Sequence, residues 1–517
     1  MRLRRLIPRL LAFELAAMAV LFPILSNAQE QHLQDSARML QQGKFADAEL
    51  AARSALLDPP SRPLAYALLG AIRLQQTRYA DSAGFLEKAV RLNPLLLGAQ
   101  LNLGNVYVLQ GKTGFATARF REVLRMDPSN FDARFALARL ESEAGDYKAS
   151  TETAKPITEK LHHSEDGLLL LASNYLAQDD QGMASSLVPG WFALDHPDTT
   201  ASLSFAQTFA SRHMFKQAIS ILEHNRNQDG DSFELDSNLA AYNFGLNQFL
   251  EATNNYQLAL NAHPNCSHCL YQLARISEQQ LKPDEALGYL IAARLIAPKD
   301  PDIVFEFGRI CLRKDLYKDA IESLSAAVQL RPDNDSFQYV LASAYTSDKE
   351  YKLAIPILKH LLETKPNDSL LNYSLGAIEY LDSDLADAQE HLQRSIKSNP
   401  DQVAAYYYLG LTENHEGKTE QAAQILQSLT ARYPDHAPTF LALGKILSGQ
   451  RRYSEARSAL ERATQLDSSS VEGHYQLGLV LARVGQSEAS KREFALVKTL
   501  NEQADQQTEM QIFSPQD

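Results

Sequence analysis

A 34-residue period runs through this chain and decides most of what it can fold into. In residues 301–334, Val304, Phe307, Gly308 and Cys311 fall at helical spacing on one face. Tyr317, Ala320, Ile321, Leu324, Ala327 and Val328 do the same on a second segment. Lys314-Asp315 interrupts the apolar pattern between them, and Pro332 ends the second segment, because a residue before proline avoids the α region. A hairpin of two such helices is apolar on both. It needs a copy of itself on each side to bury them.

The copies are present. Stepping by 34 from Gly308 in both directions gives Ser36, Gly70, Gly104, Ala138, Ala172, Ala206, Ala240, Ala274, Ala342, Gly376, Gly410, Gly444 and Gly478, so that all fourteen positions are small. Twelve residues on, every repeat again has Ala or Ser, from Ala48 to Ser490. Four residues further, large apolar side chains such as Leu86, Phe120, Leu324 and Leu460 recur, and prolines from Pro60 to Pro434 keep the same step. Small residues let two helix backbones approach closely, and large ones fill the adjoining layer.

This pattern resembles the tetratricopeptide repeat: Leu-Gly, an aromatic three residues on, Ala, an aromatic or Leu, Ala and Pro at a period of 34. Leu103-Gly104, Tyr107, Ala116, Phe120 and Pro128 carry the resemblance, as do Phe307-Gly308, Ala320, Leu324, Ala327 and Pro332. It spans residues 29–504. It implies an all-α fold of helix-turn-helix units stacked into a right-handed α-α superhelix, a solenoid with a concave groove. The usual role of the family is to hold peptides or protein partners.

Residues 1–28 stand apart from the array. Arg2, Arg4, Arg5 and Arg9 precede an apolar run of 16 residues, 10–25, and Ser26-Asn27-Ala28 closes it with small residues where a signal peptidase reads. A cleaved export signal is expected, with a periplasmic or secreted product. An uncleaved anchor is the alternative, against which the short run and its Glu14 and Pro23 count. Removing the segment takes away four Arg and one Glu and leaves a net charge of −16. An acidic chain without a basic patch argues against nucleic acid and anionic membrane surfaces.

The expected division is 29–164 for repeats 1–4, 165–232 for degenerate repeats 5–6, 233–504 for repeats 7–14, and 505–517 for a disordered tail. In the degenerate stretch His162, His196 and Gly230 stand where Pro would, and Pro156 and Pro189 fall inside expected helices, where Pro removes a hydrogen bond. Trp191, the only tryptophan, follows. Residues 156–231 are either drifted repeats that still pack, or a joint or partner-specific patch.

Chemistry is scarce. The chain holds no HExxH, no phosphate-binding loop, no GxGxxG and no GxSxG. No enzyme activity, cofactor or metal is expected. The Cys266-Ser267-His268-Cys269 stretch is followed by Leu270, not His, so it does not match a haem attachment site. A Cys266–Cys269 disulfide or a free thiol pair is expected, and an exported chain favours the bond. A redox site, or a metal site completed by His263 and His268, are the alternatives. Cys311 reads as a small buried hydrophobe.

In the family the fifth residue of each repeat, and residues one turn on, line the concave face. Here Tyr271, Phe305, Tyr339, Tyr373 and Tyr407 hold five successive fifth positions, with Arg275, Arg309 and Arg313 beside them. Tyrosine joins an apolar face to a hydroxyl at low entropic cost, and Arg pairs with carboxylates. The same tyrosines also suit packing between repeats. A non-enzymatic, exported scaffold binding a protein or peptide partner is the leading expectation. A binder of envelope polysaccharide is the second, and a thiol-redox or metal protein the third.

Overall fold

A computed structural model describes the backbone of residues 27–513, with side chains from 30 to 503. Every element among the described residues is helical. The helices fall on the period. With position 1 of a repeat set at Pro301, the first helix (A) of repeat 9 is Pro301–Arg313, and the second helix (B), starting at position 17, is Tyr317–Leu330. Repeat 3 has Leu97–Leu109 and Thr113–Met126, and repeat 12 has Val403–His415 and Thr419–Arg432.

The turn between A and B is the same in all fourteen repeats. Position 15 lies in the left-handed region each time, with φ from 57° to 83°, yet it is Gly only at Gly43, Gly111, Gly145, Gly417 and Gly485. Thr77, Leu281, Lys349 and Arg451 are among the others. In each repeat the N–H of position 16 donates to the carbonyl of position 11 at 2.8–3.1 Å, Leu316 to Cys311 for example. This is the six-to-one closure that satisfies a helix's last carbonyls. It imposes the left-handed residue, whatever side chain stands there.

Contact between A and B explains the small positions. A Cβ added to Gly308 would lie 2.8 Å from Leu324 Cγ, and one at Gly104 would lie 2.6 Å from Phe120 Cε1. Where position 8 or 20 is Ser, its hydroxyl donates across the crossing. Ser82 donates to the Gly70 carbonyl at 2.7 Å and Ser490 to the Gly478 carbonyl at 2.8 Å. A hydroxyl buried there has its partner, so serine costs the crossing little.

The chain divides into two compact units, Met1–Pro264 and Asn265–Asp517. Each is a stack of helical hairpins. The boundary lies between repeats 7 and 8, outside residues 156–231. That stretch shares one core with its neighbours, from Phe135 through Leu168 and Trp191 to Tyr242. Its irregularity is local. The B helix of repeat 4 breaks into Tyr147–Ala154, a 3-10 turn Lys155–Ile157 around Pro156, and Thr158–Leu161. The B helix of repeat 5 breaks into Gln181–Ser185 and Val188–Phe192, the latter carrying Pro189 in its first turn. His196 and Gly230 have φ of 48° and 85°, conformations closed to the proline that other repeats place there. Trp191 is no surface patch: it is fully buried and stacks on Phe205, centroids 4.1 Å apart.

The last helix runs Ser487–Phe513, so helical backbone enters the 505–517 segment expected to be disordered. The expected export signal falls on residues 1–28, of which 1–26 lie outside the described residues.

Candidate partner-binding surface

The fifth positions of repeats 8–12 lie in the first helical turns of Ser267–Gln279, Pro301–Arg313, Asp335–Ser347, Ser369–Leu381 and Val403–His415. Tyr271, Tyr339, Tyr373 and Tyr407 are half-buried. Phe305 differs. It is 9% exposed and stacks on Phe337, centroids 4.2 Å apart and 11° from parallel. Phe337 is a bulky ring at position 3 of the next repeat, and a phenyl without a polar tip gains more by covering it than by facing water. Phe305 is therefore core rather than lining.

The tyrosines connect through intermediaries. Tyr339 Oη lies 3.1 Å from Ser374 Oγ. Tyr373 and Tyr407 both approach Tyr408, at 6.1 and 5.5 Å between centroids, and Tyr407 meets His436 at 5.8 Å. Burial raises the hydroxyl pKa values of Tyr271, Tyr373 and Tyr407 above the usual 10, with Glu306 adding to the effect at Tyr271. These three phenols are thus neutral at physiological pH.

The arginines are committed within the chain. Glu278, on the A helix of repeat 8, accepts from Arg309 and, at 2.7 Å, from Arg313. Arg309 Nε also donates to Glu306 at 2.7 Å. Two carboxylates thus balance two guanidinium groups, which removes the strong carboxylate receptor the sequence pattern suggested. Arg275 stands over the Tyr271 ring, 6.0 Å from its centroid, and donates to Gln272 at 3.1 Å. Glu278 escaped the sequence reading because it reaches Arg309 and Arg313 across a whole repeat.

Each unit carries a cleft. One, of about 400 Å³ in the second unit, has Tyr380 and Tyr407 in its lining with apolar Leu411, Leu441 and Ile446 and polar Asn414 and Lys445. It falls within the size range of ligand pockets. It adjoins the last member of the tyrosine row. The other, of about 590 Å³ in the first unit, is lined by Ser173, Leu203, Ser204, Gln207, Thr208 and Arg212 among others. The sequence reading passed over it because its fifth positions are not aromatic.

Models described as tetratricopeptide repeat match residues 39–95, 101–154, 271–335, 378–437 and 441–490, and a second model of that description matches 312–378. The chain belongs to the tetratricopeptide repeat family. The matches leave 155–270 uncovered, which includes the broken B helix of repeat 5. Protein CTR9 homolog of Arabidopsis thaliana is 22% identical over 263 residues, 48% of this chain and 24% of that protein. This chain thus spans about a quarter of that relative's length. Among solved structures, the Cut9–Hcn1 hetero-tetramer of the APC/C shares 14% identity over 88% of this chain and 97% of that chain, with a TM-score of 0.38. MamA from Desulfovibrio magneticus RS-1 shares 22% over 32% of this chain and 93% of that one, at 0.31.

Around this tetratricopeptide array other candidate chemistry is thin. Cys266 and Cys269 form a disulfide with Cα atoms 5.3 Å apart. Cys266 is the N-cap of Ser267–Gln279, and its sulfur accepts from the Cys269 N–H at 3.0 Å. Most other repeats put Asp, Asn or Ser at this capping position, for example Asp300, Asn334 and Asp368. Among the described residues no group of His, Cys, Asp and Glu is placed to hold a metal, and no helix is long and apolar enough to cross a membrane. Cys311 is buried, and burial pushes its thiol pKa up to about 11.

Proposed function

We infer that this tetratricopeptide protein is an exported, non-catalytic scaffold whose second unit holds an extended segment of a protein partner. The partner lies along Tyr271, Tyr339, Tyr373 and Tyr407 and places an apolar side chain in the cleft beside Tyr407. One observation carries the reading: four half-buried tyrosines, on the A helices of repeats 8, 10, 11 and 12, end at a pocket with largely apolar walls. Phenol rings supply contact area and a hydroxyl at small entropic cost. With Arg309 and Arg313 neutralised by Glu278 and Glu306, aromatic contact rather than carboxylate capture dominates.

The test is affinity capture by the full chain, with identification of the bound protein and titration of its binding segment. Tyr407→Ala and Tyr339→Ala are expected each to weaken binding by about 2 kcal/mol, as anchor residues do, and Arg309→Ala by much less. Unchanged affinity in both tyrosine variants, with helical content intact, would refute the row as the binding surface. Export is checked by N-terminal sequencing of native protein, where a start at Gln29 is expected and a start at Met1 rejects it.

A further inference from the structure

The bond between Cys266 and Cys269 serves no purpose that other repeats need a bond for. Position 34 caps the next A helix, and Asn130, Ser164, Asp300, Asp368 and Ser470 do so with a side-chain oxygen. The place of Cys269, third in its repeat, is held elsewhere by buried Ala99, Ala133 and Ala405. The bond joins residues only three apart in sequence, and so short a loop restrains an unfolded chain less than a long one does.

The two sulfurs are not equivalent. Cys266 is half-exposed, whereas Cys269 is fully buried. The Cys266 sulfur already accepts from the Cys269 N–H at 3.0 Å, at the start of a 13-residue helix. A thiolate in that place gains a charge-assisted hydrogen bond and the favourable end of the helix dipole, the setting that lowers a cysteine pKa. The flanking segment 252–277 holds no Asp or Glu. Asp300, at the same position of the next repeat, spends its Oδ1 on the N–H groups of Asp302 and Ile303 in its own helix. One sulfur is thus reachable and stable as a thiolate, and the other is shielded and stands beside it.

We propose that Cys266–Cys269 is a thiol–disulfide exchange site for a dithiol carried by another protein. In the first step a partner thiolate attacks Cys266 Sγ. The Cys266–Cys269 bond breaks, and its electron pair goes to the Cys269 sulfur, which takes up the proton the attacking thiol released. In the second step the partner's other thiol loses its proton and attacks the partner sulfur of the mixed disulfide. Cys266 leaves with the electron pair as a thiolate, and a thiolate of lowered pKa leaves faster. The partner's two thiols end as a disulfide, and this chain ends reduced by two electrons. The Cys266 sulfur caps the helix in both forms, so the fold survives the exchange. A monothiol lacks the second step, and Cys269, adjacent in the fold, expels it.

The experiment uses the full chain with two probes, a peptide bearing two cysteines separated by two residues, and glutathione. Alkylation and mass spectrometry count the thiols, and circular dichroism follows the fold. The peptide is expected to reduce the bond with helical content unchanged, while glutathione at equal thiol concentration leaves it largely oxidised. Two variants borrow residues that other repeats already carry at these positions. Cys269→Ala is expected to trap the peptide on Cys266, and Cys266→Ser to trap none. In Cys269→Ala, iodoacetamide is expected to alkylate Cys266 about fivefold faster than free cysteine at about pH 6.5, the gain in thiolate outweighing the loss in nucleophilicity.

A bond that withstands the dithiol peptide overturns the proposal. So does loss of helical content on reduction, which would make the bond a structural staple. Reduction by glutathione as fast as by the peptide rejects a dithiol partner. An adduct on Cys269 or Cys311, or alkylation of Cys266 no faster than that of free cysteine, rejects the assigned roles. Capture through Tyr407 does not enter these measurements, so their failure leaves the scaffold reading standing.

Discussion

Repeat 9 and repeat 5 share a period and differ in one helix. In repeat 9 the B helix Tyr317–Leu330 is continuous, and Ala320, Leu324 and Ala327 meet the A helix from fully buried positions. In repeat 5 the corresponding stretch is two single turns, Gln181–Ser185 and Val188–Phe192. Both repeats keep an A helix of 13 residues and a left-handed residue after it, Asp315 in one and Asp179 in the other, at φ 58° in each. The A helix and the turn therefore define the repeat. The B helix can be broken if something else fills its volume. Trp191 does so: it occupies the position that holds Ala327 in repeat 9, and it is fully buried against Phe205.

The largest effect follows from that substitution of roles. Trp191→Ala should cost about 3–5 kcal/mol, since little else in a single-turn helix can close over the cavity. Hydrogen exchange should show lost amide protection in 165–210. Trp191→Phe should recover most of the stability, because the indole N–H has no partner in its buried setting and its removal relieves a desolvated donor. Wild-type protection in Trp191→Ala would mean that the broken helix does not depend on the indole and that the two repeats are not equivalents.

A smaller effect separates their crossings. Repeat 9 has Gly308 where repeat 5 has Ala172, and a Cβ at Gly308 would also lie 3.2 Å from the Ala320 carbonyl. Gly308→Leu should overpack the crossing and cost about 1–3 kcal/mol by urea unfolding. Ala172→Gly removes a methyl group from a helix already relieved of a continuous partner, and should cost only about 1 kcal/mol, the helix-propensity difference. Similar losses in both would indicate that repeat 5 packs its A helix as tightly as repeat 9.

Period and register were open to reading in the sequence because they rest on local rules repeated fourteen times. Small residues at positions 8 and 20, large ones at 24 and proline at 32 each reflect one contact or one turn. What the period does not encode is where a side chain goes between repeats. Phe305 looked like its tyrosine neighbours, but its burial depends on Phe337, one repeat away. Arg309 and Arg313 looked available, but Glu278 claims both from the preceding repeat. Trp191 sat among helix-breaking prolines, where the sequence left open packed repeats or a partner-specific patch, and its position 27 points into the core. The hydroxyl cleft of the first unit was missed for a related reason. Serine and threonine at 200, 204, 208 and 211 do follow helical spacing, yet polar residues at that spacing ordinarily mark a solvated face.

The finest distinction concerns the turn, the element that repeats 5 and 9 hold in common. A left-handed residue with a side chain is strained by about 1–2 kcal/mol, less for Asp and Asn, and glycine removes the strain while adding entropy to the unfolded chain. At Leu281 the side chain is 81% exposed, so its replacement forfeits no packing. Leu281→Gly should therefore stabilise the second unit by about 0.5–1 kcal/mol, a net of strain relief over entropy. Asp179→Gly gives up only an exposed ion pair with Arg212 at 3.5 Å, which contributes little. It should leave stability equal to wild type or slightly higher, a smaller gain than at Leu281 because aspartate already tolerates the conformation. A clear destabilisation by Asp179→Gly in urea unfolding would mean that the aspartate does more for repeat 5 than occupy its turn. The turn would then no longer be the element that regular and broken repeats share on equal terms.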